Sequence, residues 1–236
     1  MAHAISLAIT PSVPPRVTRT GVISDWKGCA TAHCAMTAVF AARLAQQGLT
    51  GPSQPIDGAG GLRDLLGLAP LDLTPIGQPL SGPSAVETTG LKAHPAEYSA
   101  EGPIESVLLL RDGLSPDQIE RIDVFLHWSG WHEIGGGAGD GPEKSAPATR
   151  ETADHSLAYI VAAALIDGDV TIVSFEHARR HDPVLREVTA KINVHEDPRL
   201  TAGQRLLDTM WQVATLGDIG EFTRQFRFSH RQSPRR

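Results

Sequence analysis

The clearest hydrophobic pattern in this chain begins after a polar cluster. Residues 149–156 hold Thr149, Arg150, Glu151, Thr152, Asp154, His155 and Ser156. Leu157, Ile160, Val161, Ala164 and Leu165 then recur at i, i+3, i+4, i+7 and i+8, the stripe of a buried helix. Thr152 or Asp154 can cap its N-terminus. Polar chemistry is thus concentrated where free N–H groups and the positive dipole end of a helix suit a carboxylate. A second block, Ser24 to Ala30, leads into Met36, Val39, Phe40 and Leu44, again at helical spacing, with a stop at Gly48. Lys27 falls just before that helix or in its first turn. A third block runs from Gly90 to Tyr98 and carries Lys92; Gly102-Pro103 and an apolar helix from Ile104 to Leu110 follow.

Between these blocks the pattern changes. Residues 1 to about 50 read as two helical pieces around a turn with Pro11, Pro14 and Pro15. Residues 51–84 are rich in Gly and Pro, with a partial helix around Leu62, Leu65, Leu66 and Leu68. Ser115-Pro116-Asp117-Gln118 offers a cap, a proline at the first helical position and a capping-box partner. Ile122, Val124 and Leu126 alternate with polar residues as in a half-buried strand; Val170 to Val173 and Ile192 to Val194 read as two more. Asp182-Pro183 starts a helix, and residues 203 to about 226 return to helix. The expected class is mainly α, an all-helical part joined to a smaller α+β layer.

Composition narrows the function. A net charge of −6 on 236 residues argues against a nucleic-acid partner. The arginines at 224, 227, 231, 235 and 236 read as a solvated tail. No apolar run approaches membrane-spanning length, so no membrane partner is expected. Cys29 and Cys34, five apart on one helix, point to different faces, which fits a reducing cytoplasm. Cys29, His33 and Cys34 lack structural-zinc spacing, and His127 and His132 in HWSGWHE do not form HExxH, so no metal is expected. Trp128 and Trp131 are expected at the edge of the strand. The run GGGAGDG, Gly135 to Gly141, lacks a following Lys-Ser/Thr and reads as a mobile loop. No serine sits in a GxSxG elbow.

The segments TPSVPPRVTRTGVISDWKGCATAHCAMTAVFAARLAQQGLTGP, LKAHPAEYSAEGPIESVLLLR and PATRETADHSLAYIVAAALIDG, in this order, resemble the MmgE/PrpD family. That family includes 2-methylcitrate dehydratase, cis-aconitate decarboxylase and an iminodisuccinate epimerase. The first block, with TP, TR and WKGCA, is most similar to the dehydratase branch, and the resemblance runs from about Ala4 to about Pro198. It implies a large helical domain and an α+β lid, here as residues 1–84 (part of the helical domain and a connector), 85–200 (the lid) and 201–236 (a helix returning to the helical domain, then the basic tail). Relative to the family, this chain is short at its N-terminus, where an acidic and histidine-bearing catalytic segment would lie. The stretch between Asp197 and the Leu206–Trp211 helix is short as well.

The resemblance also implies chemistry. The reaction is proton removal next to a carboxylate, with loss of water, loss of CO2 or inversion, and needs no cofactor. The implied activity is dehydration of a 2-methylcitrate-like tricarboxylate, as in propionate metabolism. Decarboxylation or epimerisation of a related polycarboxylate, or a silent structural half, are the rival readings. By position, Lys27 and Lys92 bind anions and stabilise charge. Tyr159 and His155 serve proton transfer, and Arg150 clamps a carboxylate. Against these stand the plainer readings of surface lysines, a core tyrosine, a capping histidine and an Arg150–Glu151 or Arg150–Asp154 ion pair. The expected assembly is a homodimer or a pairing with a complementary N-terminal half. If Met36, Val39 and Phe40 normally meet helices absent from this chain, they are left exposed and drive association.

Overall fold

The computed structural model describes residues 1–70, 72–73, 82 and 84–211, with the side chains of 85, 88 and 205–211 left aside. Among the described residues the protein is mainly helical, with one small parallel sheet. It divides into two compact units, Met1–Ala93 and His94–Arg236.

In the first unit α1 (Ala2–Ile9) packs on α2 (Trp26–Gln46), with a 3-10 turn at Arg16–Arg19 between them. The expected stop after α2 is present. Gly48 takes a φ of 91° and Leu49 N–H donates back to the Leu44 carbonyl, which closes the last turn. Ser6, on α1, is buried, and its hydroxyl donates to the Pro52 carbonyl at 2.6 Å. A Cβ on neighbouring Gly51 would sit 2.6 Å from that hydroxyl oxygen, so only glycine permits the approach. Short helices α3 (Leu62–Leu66) and α4 (Ala85–Thr88) follow. Met36, Val39 and Phe40 are exposed within this unit.

The second unit is built around one helix. Its order is α5 (Glu101–Leu110), β1 (Ile122–Leu126), α6 (Trp128–Ile134), α7 (Gly141–Ser145), α8 (Arg150–Ala153), α9 (Leu157–Asp167), α10 (His177–Arg180), α11 (Pro183–Ala190), β2 (Ile192–Glu196) and α12 (Pro198–Trp211). Every residue of α9 from Leu157 to Leu165 is buried. Helices α5, α7 and α11 and strand β2 pack around it. An all-round apolar helix is stable only when enclosed in this way. Strands β1 and β2 pair in parallel, Ile122 opposite Ile192 through Leu126 opposite Glu196. Parallel pairing requires a crossover, and α6 to α11 supply it.

Arg111, at the end of α5, donates to the Leu165 and Ile166 carbonyls at 3.2 and 3.4 Å and so satisfies the C-terminus of α9. Gly168, at φ 76°, ends the helix directly against that guanidinium, leaving no room for a Cβ.

Several expectations need correction. The Val170–Val173 run is not a strand. Residues Ile172–Phe175 form a 3-10 turn in which Thr171 and Ser174 cap each other, while Ile172 and Val173 stay exposed. The HWSGWHE segment is helix α6, with His127 as its cap, rather than a strand edge. Trp131 packs on the core and Trp128 stacks on His132 at 4.8 Å. Within the Gly135–Gly141 run, expected as a mobile loop, Gly137 lies against Trp131; a Cβ there would sit 2.6 Å from that ring. Thr149 caps α8 and Ser156 caps α9, in place of Thr152 or Asp154. Ser115 turns to Asp117 instead of capping the 3-10 turn at Pro116–Gln118. Helix α12 begins at Pro198, earlier than residue 203, and its expected continuation and the arginine tail lie outside the described residues.

Candidate functional site

The polar turn between α8 and α9 is held from several sides. Thr149 accepts from Thr152 N–H at 3.0 Å and Ser156 accepts from Tyr159 N–H at 3.2 Å. The Ser156 hydroxyl in turn donates to the Lys144 carbonyl. Between these caps His155 Nδ1 lies 2.8 Å from Asp154 Oδ1, an acid–imidazole pair that fixes the ring. Both side chains are partly buried, at 13% and 24% exposure. The Asp154 carbonyl accepts Glu97 N–H at 3.1 Å, which joins this turn to the segment after Lys92. That segment is pinned again at His94, whose ring lies 3.2 Å from Glu105 and 3.7 Å from Asp169.

The expected site residues fall in different settings. Lys27 sits in the first turn of α2 and is half-buried; Lys92 is exposed, outside any helix or strand, just before His94. Arg150 is exposed at the start of α8. His155 stands on the turn just described.

Tyr159 occupies the core, with 1% exposure. Its hydroxyl donates to the Ser174 carbonyl at 2.5 Å, and its ring lies against Phe175 at 6.2 Å. In this structure the phenol ties the 3-10 turn to α9, which matches the plainer reading of a core tyrosine with a satisfied hydroxyl. Burial pushes its pKa up to about 12. The unfolded phenol ionises near its ordinary value, about 10. Above that pH the unfolded chain has lost a proton that the folded one keeps, so stability falls until the folded phenol also ionises. The loss amounts to about 2–3 kcal/mol across that window. Tyr159→Phe is expected to remove this step while costing roughly 1–2 kcal/mol at neutral pH through the orphaned Ser174 carbonyl. Denaturant titrations of both proteins at neutral and alkaline pH check it; equal alkaline losses in the two would refute it.

Sequence reasoning passed over a buried pair. Lys144 and Asp140, four apart, are each 3% exposed, with Nζ 3.6 Å from the carboxylate. Burial holds the Lys144 amine below its ordinary pKa, against the opposing pull of Asp140. The i, i+4 acid–lysine spacing was the available signal, hidden in a stretch that reads as loop.

Cys29 and Cys34 are both free and exposed. Among the described residues no group of three or more His, Cys, Asp or Glu side chains could hold a metal ion, and no helix is long and apolar enough to cross a membrane. Residues 1–70 match the MmgE/PrpD N-terminal domain and residues 94–236 the MmgE/PrpD C-terminal domain. The two matches cover most of the chain, in the expected order. The chain belongs to the MmgE/PrpD family.

Proposed function

We propose that this MmgE/PrpD protein is a cofactor-independent lyase that dehydrates a 2-methylcitrate-like tricarboxylate. The observation that carries the reading is the placement of its lysines. The sequence has only four, and two of them, Lys27 and Lys92, stand in the blocks that resemble the family's substrate-binding segments. A tricarboxylate needs cations both to bind and to offset charge that grows on the carboxylate beside the carbon losing its proton. Lys27 and Lys92 take that role, with Arg150 as a bidentate clamp.

His155, oriented by Asp154, is the proton-transfer group of this chain. The Tyr159 phenol, as found, ties the 3-10 turn at Ile172–Phe175 to α9. The catalytic assembly is a homodimer, with the exposed Met36, Val39 and Phe40 at the contact. Sedimentation at rising concentration is expected to show association, and a monomer throughout would count against it.

Incubation with 2-methylcitrate or citrate tests the function. The expected product is an unsaturated acid that retains every carboxylate. Release of CO2 would replace the dehydratase by a decarboxylase, and inversion without an alkene by an epimerase. No turnover of any of these acids would leave a silent structural chain.

A further inference from the structure

The two histidines of α10 stand outside the chemistry proposed above. His177 opens the helix and His181 follows its last residue, so the pair has the i, i+4 spacing that brings two side chains to one face. Both residues are exposed. Their rings stack with centroids 4.1 Å apart and planes 20° from parallel. His181 Nδ1 lies 2.8 Å from the His177 carbonyl oxygen. A carbonyl only accepts, so Nδ1 carries the proton and Nε2 of the neutral ring keeps a bare lone pair. A backbone bond of this kind is what fixes the tautomer and direction of metal-ligating histidines. Among the described residues the His177 ring has no hydrogen-bond partner, so its nitrogens are open to a ligand.

The neighbouring charges do not repel a cation. Arg179 is engaged by Asp167 and Asp182, at 2.5 and 2.6 Å. Arg180 is buried, with its guanidinium on the Phe175 and Ala148 carbonyls. Arg186 donates to the Arg180 carbonyl at 3.1 Å. Asp167, Asp182 and the exposed Glu176 beside His177 balance these arginines in number. Two nitrogens bound to one metal ion at about 2.0–2.1 Å lie roughly 3 Å apart, a spacing that rings already stacked can reach by side-chain rotation.

We propose that His177 and His181 chelate one divalent transition-metal ion of the nickel, copper or zinc class, with water in the remaining positions. Neutral imidazole suits these ions, whereas calcium and magnesium take oxygen ligands. A structural centre is closed by four protein ligands, and this pair supplies two. The ion is therefore exchangeable and stands on the surface of the unit. It is no part of the lyase chemistry, which needs no metal.

The test is a calorimetric titration of the whole chain with nickel(II) chloride. Wild type is expected to bind one equivalent. His177→Ala and His181→Ala are each expected to weaken that binding about a hundredfold, because joining two weak ligands on one scaffold gains at least that much over either alone. Both positions are exposed, so neither substitution threatens the fold. Two controls, His3→Ala and Cys29→Ser, remove an exposed imidazole and an exposed free thiol elsewhere, and are expected to leave the affinity unchanged. Equal nickel affinity in wild type and His181→Ala would overturn the proposal. A loss confined to Cys29→Ser would also overturn it, by moving the metal to α2, and a loss in only one of the two histidine variants would exclude a chelate. The readout needs no turnover of a tricarboxylate, so its outcome is independent of the dehydratase reading.

Discussion

Lys92→Ala is expected to lower kcat/KM for 2-methylcitrate by about a hundred- to a thousandfold, the usual consequence of deleting one group that stabilises a developing negative charge. In the proposed role the same variant also weakens citrate binding in a titration, because the amine would meet a carboxylate already in the ground state. Lys92 is exposed, and substitutions at such positions leave stability within about 0.5 kcal/mol. Loss of function with an unchanged denaturation midpoint therefore identifies a lost charge contact. Lys92→Arg keeps the charge but exchanges a compact ammonium for a planar fork, and is expected to recover binding better than turnover. Equal citrate affinity in wild type and Lys92→Ala would remove Lys92 from the site.

Ile160→Ala is the largest expected loss of stability. Ile160 has no exposed surface and lies in α9, the helix on which α5, α7, α11 and β2 converge. Deleting a side chain of this size from a closed core costs about 2–5 kcal/mol, in the transfer of its carbons and in the cavity left behind. The upper part of that range is expected here. Neighbours on every side are committed to other contacts, so collapse into the space is restricted. Urea titration followed by far-UV circular dichroism reads the shift. A midpoint within about 0.5 kcal/mol of wild type would mean that α9 is not the centre of the unit.

The core helix was legible in the sequence because Leu157, Ile160, Val161, Ala164 and Leu165 mark a helical period that no strand shares. That α9 is enclosed on all sides was not legible. Its remaining positions are Ala158, Tyr159, Ala162 and Ala163, and alanine suits surface and core alike. Strands β1 and β2 followed from alternation, and the helix at Pro183 from its Asp-Pro start. The Val170–Val173 run misled because β-branched residues suggest a strand, whereas reciprocal capping by Thr171 and Ser174 decides the local shape. Helix α6 was hidden by Gly130 in its middle and by a histidine cap, His127, whose Nδ1 accepts from Gly130 N–H at 3.3 Å. Lys27, Lys92 and Arg150 were reached through family resemblance, since nothing in their local pattern separates them from surface cations. The Lys144–Asp140 pair shows only its i, i+4 spacing in the sequence, and its burial appears only in the structure.

The pairing of β1 with β2 has a consequence for how this unit assembles. The two strands lie 70 positions apart in register, Ile122 with Ile192, and the whole of α9 falls in the interval. Closing so long a loop is entropically unfavourable until something inside it has condensed. Helix α9 with α11 therefore belongs to the early nucleus, and the ladder zips last. A protease nick in the Gly135–Asp140 turn would leave two fragments that only the mature packing holds together, so once denatured they would re-form the native ladder far more slowly than the intact chain.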